Sequence, residues 1–438
     1  MADASYTRPP GHATVLSSVS NLTNTIIGAG MLALPHAFAS TGWLLGSLLI
    51  LLCAVTTAYG LHLVKRCEQR LGFQATSFYD MTLHAMPKAA WWFDLIIVVK
   101  CYGVGVSYLL ICSHLMPQVV LSFAHAFGSD RSDVHGLLMS SGVWSVIFVA
   151  ALSPLCFLRR LNSLRGVGYV NIVAVAYLLL IMIVYALSPE LLKELPTGGD
   201  ARAIVLSPDI LKVFPVIVFA YTCAQNIIPV YNELEDDSAS TADQVVGISI
   251  GISALVYLVV AIVGYFSFGS FAPDNIISMY PDTSLFVCFG KLSVIFLTLT
   301  SYPLQLYPCR GALNKVLYPP EIRLPTEEEG ERSSLVNVHQ GHSDDPVDFP
   351  NTRWNIMTVA IMISGVALSL VVRDLSLVLG VVGSFGSTAI SFILPALLYT
   401  TLYPDKEELH YKAAKVLGLW GVVVMALTVS MNIARLFM

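Results

Sequence analysis

Two short stretches carry residue types from which chemistry can be expected. One is Asn24-Thr-Ile-Ile-Gly28-Ala-Gly30-Met-Leu-Ala-Leu-Pro35-His36; the other is Thr222-Cys-Ala-Gln-Asn226, followed by Pro229. Each sits in an apolar run long enough to cross a bilayer as a helix, about 20 residues. A plain membrane helix has no use for glycines, amides or proline at mid-depth. Interrupting it there frees N–H groups at the start of one half-helix and carbonyls at the end of the other. The first carry partial positive charge and the second partial negative charge. A small zwitterion, with carboxylate and ammonium on one carbon, fits that pair of poles. Gly28 and Gly30 permit the unwinding and let a ligand approach the backbone. The competing reading of Gly28-Ala29-Gly30 is close helix packing, in which small residues are enriched. Pro35 and Pro229 are equally readable as plain kinks.

Ionisable side chains inside apolar runs form a second set of candidates. Lys100 lies about nine residues into its segment, roughly 13 Å at 1.5 Å per residue. Its alternatives are a coupling charge and a stem that snorkels to the headgroups. Lys291 has a similar depth in its own segment. Glu233 ends the segment holding the second stretch and reads as a gate or as a solvated helix end. His36 and His114 are of the residue type that suits proton coupling beside an acidic compartment; a packed, hydrogen-bonded histidine is the alternative. Asp94 is expected at the interface. Tyr102, Ser107 and Tyr108 offer hydroxyls that would close a pocket over a carboxylate, against ordinary helix packing.

The elements that must position these groups are membrane helices. Of 438 residues 55% are hydrophobic and 12% charged, with a mean hydropathy of +0.71; soluble chains carry about 25% charged residues. Eleven segments are long and apolar enough: Val15–Ala39, Trp43–Val64, Trp91–Phe123, Gly142–Leu158, Val167–Leu187, Ile210–Leu234, Val245–Phe268, Ser284–Pro308, Trp354–Val372, Leu375–Leu402 and Ala413–Phe437. A short tail (1–14) precedes a core of ten helices (15–402), and residues 403–438 add an eleventh helix with its connector. The one long polar connector, 311–352, contains Pro-Thr-Glu-Glu-Glu-Gly-Glu-Arg-Ser-Ser and has the composition of a disordered linker. Most of the 24 Lys and Arg fall on the side of the N-terminus, which the positive-inside rule makes cytosolic. An odd number of crossings then puts the C-terminus in a lumen or outside. The eight cysteines lie in or beside apolar segments, without the spacing of a disulfide framework or zinc site. The net charge of −5 is too small to point to nucleic acid. No cofactor-binding motif is present.

The two interruptions fall in the first and sixth segments, the spacing of two five-helix halves entering the bilayer from opposite sides. Paired broken helices at corresponding places are the strongest sequence pointer to a transporter's substrate site. An α-amino acid is the zwitterion this chemistry suits.

Four motifs, Asn21-Leu-Thr-Asn-Thr-Ile-Ile-Gly-Ala-Gly-Met-Leu-Ala-Leu-Pro-His-Ala-Phe38, Val98-Val-Lys-Cys-Tyr-Gly-Val-Gly-Val-Ser-Tyr-Leu-Leu110, Phe219-Ala-Tyr-Thr-Cys-Ala-Gln-Asn-Ile-Ile-Pro-Val-Tyr-Asn-Glu-Leu234 and Leu299-Thr-Ser-Tyr-Pro-Leu-Gln-Leu-Tyr-Pro-Cys-Arg310, resemble the amino acid/auxin permease family. The likeness is to its fungal vacuolar amino acid transporters, relatives of the sodium-coupled neutral amino acid transporters of animals. It implies an all-α leucine-transporter-type fold, with helices 1–5 and 6–10 as inverted repeats. It further implies substrate contacts at Ile27, Gly28, Ala29 and Gly30, and at Phe219, Tyr221, Thr222 and Cys223. Asn24, Thr298 and Ser301 match the positions that supply oxygen ligands to sodium in coupled relatives. Met31 stands where a second sodium site would want a polar group. Two departures bear on coupling and substrate range: Ala224 replaces a frequent histidine, and Ser113-His114 replaces Gly-Asp.

The expectation is a secondary active transporter working by alternating access in a lipid bilayer. A proton is the expected coupling ion, and a neutral amino acid the expected cargo, moved between a vacuolar or lysosomal lumen and the cytosol. The alternatives are a sodium-coupled neutral amino acid symporter, with the plasma membrane as its place, and a transporter-like amino acid sensor. An intramembrane enzyme would need clustered histidine and acidic residues at the membrane face, which the sequence lacks.

Overall fold

In the computed structural model the chain is almost wholly helical; the structure describes residues 12–71, 78–128, 136–158, 167–196, 199–236, 238–319, 350–372, 374–406 and 408–437. Residues 1–11 of the expected tail and 320–349 of the polar connector lie outside these. Helices dominate because hydrocarbon offers no partner for a free peptide group, so each segment pairs its own.

The first half runs α1a (Val15–Ile26), a tight 3-10 turn (Ala29–Ala33), α1b (Leu34–Thr41), α2 (Trp43–Leu71), α3 (Ala90–Ala126), α4 (Ser141–Cys156) and α5 (Val167–Leu187). The second half repeats the plan with α6a (Ile210–Ala220), α6b (Ile227–Glu233), α7 (Ala239–Phe268), α8 (Leu285–Leu317), α9 (Asn351–Val371) and α10 (Leu375–Leu402), and α11 (Leu409–Phe437) follows. Among the described residues nine helices are long and apolar enough to cross a membrane, or ten with the α1 pair, bent by 47°, as one span. The remaining expected crossing is α4, whose 16 residues fall short of the about 20 that a full span takes.

Two groups of helices organise the molecule. α3 and α8, the third helix of each half, share the most extensive contact. Both halves of α1 pack on α7, α2 packs on α7, and α1b meets α6a. The broken helices thus belong to an α1–α2–α6–α7 bundle, and α3 and α8 form a second group.

Charges that lie just beyond the apolar windows are inside helices. Lys65 and Glu68 form a buried pair at 3.0 Å, with Lys65 over the Tyr231 ring. Arg310 donates to the Cys156 carbonyl at 2.9 Å and the Thr358 hydroxyl at 2.6 Å, and its guanidinium stacks on Trp354. Because these groups are satisfied internally, α2 and α8 run on past the apolar windows that defined them. Asp94, expected at the interface, is 3% exposed.

Candidate functional site

Both breaks are present, and local sequence explains each. α1a stops at Ile26; Ile27 bonds back to the Thr23 carbonyl at 2.8 Å, and Gly28 is extended (φ −135°). A side chain tolerates that backbone, so Gly28 owes its identity to space. A Cβ there would lie 3.9 Å from the Tyr108 hydroxyl and 4.0 Å from the Ile26 carbonyl oxygen, in ordinary contact with both. At Gly30 a Cβ would come within 3.0 Å of Ala220 Cα and 3.2 Å of the Phe219 ring. The two readings of Gly28-Ala29-Gly30 therefore divide: Gly28 borders a gap and Gly30 is a packing contact. Pro35 stands in the first turn of α1b, where its missing N–H costs nothing. Its ring fills the space left by Gly264. It starts a helix and does not kink one. Pro229, third residue of α6b, does the same.

α6a ends at Ala220. Tyr221, Thr222 and Asn226 turn back on Val218, Phe219 and Cys223 through backbone bonds of 3.2, 3.0 and 2.9 Å before α6b begins. The carbonyl ends of α1a and α6a then meet at one point. The hydroxyl of Tyr257, fully buried on α7, lies 2.6 Å from the Ile26 oxygen and 2.7 Å from the Ala220 oxygen. Its ring stands edge-on to Tyr221 at 5.1 Å. Sequence reading missed Tyr257. The available signal was a phenol amid the apolar run Ser253-Ala-Leu-Val-Tyr257, since a buried tyrosine hydroxyl needs an acceptor.

Around this point lie Ile27, Ala29, Tyr108, Phe219, Tyr221, Thr222 and Cys223, all buried. Thr222 spends its hydroxyl on the Val218 carbonyl at 3.2 Å, whereas the buried Tyr221 hydroxyl finds no hydrogen-bond partner among the described residues. The gap beside Gly28 has room for a methyl group, so the site is contracted here. Tyr102 is not part of it; its ring lines a crevice with Tyr302, Cys309 and Gly365, on the α8–α9 side of α3.

The three sodium-ligand candidates engage different neighbours. Asn24 turns its amide to Gly168 of α5. Thr298 bonds to Cys112 Sγ at 2.9 Å and to the Val294 and Ile295 carbonyls of its own helix. Ser301 pairs with the Tyr108 hydroxyl.

Lys100 does not snorkel. It is 2% exposed, donates to Gln305 Oε1 at 3.3 Å and lies within electrostatic reach of Cys223 in the α6 break. Its stem passes over Gly386, where a Cβ would sit 2.6 Å away. Gly386 belongs to a π-helical stretch, Val382–Ser387, inside α10, a local winding that often marks functional sites. His114 is half-buried on α3, six residues beyond Tyr108, about 9 Å along the helix. It is not brought to the breaks. His36 Nδ1 donates to the Ala272 carbonyl at 2.9 Å, and Lys291 bonds to the Tyr280 carbonyl at 3.0 Å and to Asp282. Both hold the connector between α7 and α8.

The family described as transmembrane amino acid transporter protein matches residues 11–438. The chain is 36% identical to vacuolar amino acid transporter 5 of Schizosaccharomyces pombe, over 97% of this chain and 96% of that one. It is 31% identical to vacuolar amino acid transporter 5 of Saccharomyces cerevisiae, over 95% and 97%. Among solved structures, MhsT in complex with L-phenylalanine is similar with a TM-score of 0.58 at 10% identity, covering 97% of this chain and all of that one. At that identity the likeness is one of fold, the leucine-transporter-type arrangement in which helices 1 and 6 are broken. The paired breaks and the match along almost the whole sequence agree: the chain belongs to the transmembrane amino acid transporter family.

Proposed function

We propose that the protein is a secondary active transporter that carries neutral amino acids across the vacuolar or lysosomal membrane by alternating access, coupled to protons. One observation carries this reading: the carbonyl ends of α1a and α6a converge within 2.7 Å of a single point, next to the gap at Gly28. The ammonium of an amino acid bonds to those carbonyls. Its carboxylate faces the start of the 3-10 turn at Ala29 and the Tyr108 hydroxyl. Ile27, Phe219, Tyr221, Thr222 and Cys223 receive the side chain. None of them is charged, which favours neutral cargo. Names of the yeast relatives support amino acid transport and the vacuolar location. The excess of Lys and Arg on the side of the N-terminus favours a cytosolic N-terminus and a lumenal C-terminus.

Proton coupling draws support from Lys100, a buried amine that bonds to Gln305 of α8, packs on the π-helical part of α10 and lies within electrostatic reach of Cys223 in the α6 break. Sodium coupling would need the oxygens of Asn24, Thr298 and Ser301 to converge, and here the three side chains face Gly168 of α5, Cys112 of α3 and Tyr108 of α3 respectively. The test is uptake of radiolabelled neutral amino acids into proteoliposomes. An imposed pH gradient should drive accumulation and a sodium gradient should not. Accumulation driven by sodium alone overturns the coupling. Binding without any uptake overturns transport in favour of sensing.

A further inference from the structure

We propose that Tyr257 is a positioning residue that lets the empty transporter reorient, its hydroxyl standing in for the substrate's ammonium on the Ile26 and Ala220 carbonyls. This rests on the amino acid reading above.

The argument starts from hydrogen count. A phenol carries one hydrogen, yet the Tyr257 oxygen lies 2.6 Å and 2.7 Å from two carbonyl oxygens. At any instant only one of those carbonyls receives a full hydrogen bond. The other faces a lone pair. An alkylammonium has three N–H donors and can satisfy both. The Ile26 oxygen also borders the gap at Gly28, 4.0 Å from where a Cβ would sit. An ammonium placed beside Gly28 therefore reaches an oxygen that Tyr257 already holds.

What the hydroxyl does depends on the state of the site. With substrate bound, the ammonium ties α1a to α6a and Tyr257 needs to serve only one carbonyl. With the site empty, Tyr257 is, among the described residues, the side chain that donates to these two buried helix ends. A buried carbonyl without a donor costs about 1–3 kcal/mol. The empty form bears that cost in full if the hydroxyl is removed; the loaded form does not. Tyr257 is thus needed on the empty half of the cycle. Its place on α7, against both halves of α1, keeps the bundle a single body while it moves unloaded.

The test separates the two halves of the cycle. Net uptake requires the empty carrier to return, whereas exchange of internal for external substrate does not. Tyr257→Phe keeps the ring that stands on Tyr221 and deletes only the hydroxyl. We expect net uptake to fall about tenfold, the order of one buried unpaired carbonyl, while exchange stays within about twofold of wild type. Saturating amino acid should raise the melting temperature of the variant more than that of wild type, because the empty form alone is weakened. Equal loss of net uptake and exchange means a general structural role and overturns the proposal, as does no loss of either. Should the wild-type protein move no amino acid in either assay, the functional reading fails and not the role of Tyr257 within it.

Discussion

A methyl group added at Gly30 would press on Ala220 Cα and the Phe219 ring at 3.0 and 3.2 Å, whereas one added at Gly28 would touch only the Tyr108 hydroxyl and the Ile26 carbonyl near 4 Å. The two substitutions should therefore report different properties. Gly30→Ala overpacks a helix crossing and costs about 1–3 kcal/mol, visible as a lower melting temperature in detergent. Gly28→Ala should leave the melting temperature unchanged and raise the KM for uptake, because the methyl occupies the gap that the substrate needs. If both lowered the melting temperature alike, Gly28 would be a packing residue too. Sequence could say that these glycines sit in a break. It could not divide their tasks, since the division depends on which helix stands opposite each. Tyr257 was hidden for the same reason: its acceptors are 231 and 37 residues away in the chain.

The element most altered from its sequence reading is α10. Leu375–Leu402 was read as one apolar helix, and those bounds are the ones found, yet its middle winds as π-helix through Val382–Ser387 and Ala389–Ile393. Winding follows from neighbours that sequence windows do not see. Gly383 lies against the Pro215 carbonyl of α6a, and Gly386 against Lys100. The broken helices, by contrast, were legible, because glycine, amides and proline interrupt apolar runs there. On α3, Lys100 lies eight residues before Tyr108, about 12 Å nearer the N-terminal face at 1.5 Å per residue. Replacing it with methionine keeps the stem over Gly386 and removes the charge. Lys100→Met should retain exchange of bound substrate and lose accumulation driven by a pH gradient. Accumulation at the wild-type level would remove Lys100 from coupling and leave it a packing role.

Across the whole molecule, alternating access requires that the ties closing each face be separable. On the face of the N-terminus the ties lie inside the bundle and move with it: the chain before α1 bonds to the end of α6b, through Ala13 with the Glu233 carbonyl at 2.8 Å and the Glu235 amide at 3.2 Å. Tyr231 adds a bond to the Leu61 carbonyl at 3.1 Å. On the opposite face the α7–α8 connector fastens three helices. It holds α1b through His36 and Ala272, α10 through Asp274 and the Ser376 amide at 3.2 Å, and α8 through Asp282 and Lys291. The last tie has unequal partners. Lys291 is fully buried, whereas Asp282 is 32% exposed. Removing the exposed partner leaves the buried ammonium with the Tyr280 carbonyl alone, the costlier way to break such a pair. Removing the buried one leaves a carboxylate that water can reach. Asp282→Asn should therefore lower the melting temperature well beyond Lys291→Met. Both should loosen the connector from α8 and admit impermeant reagents to this face faster than in wild type. Equal melting temperatures for the two variants would mean that Lys291 finds solvent when unpaired, and reagent access unchanged from wild type would mean that the connector is not the seal on this side.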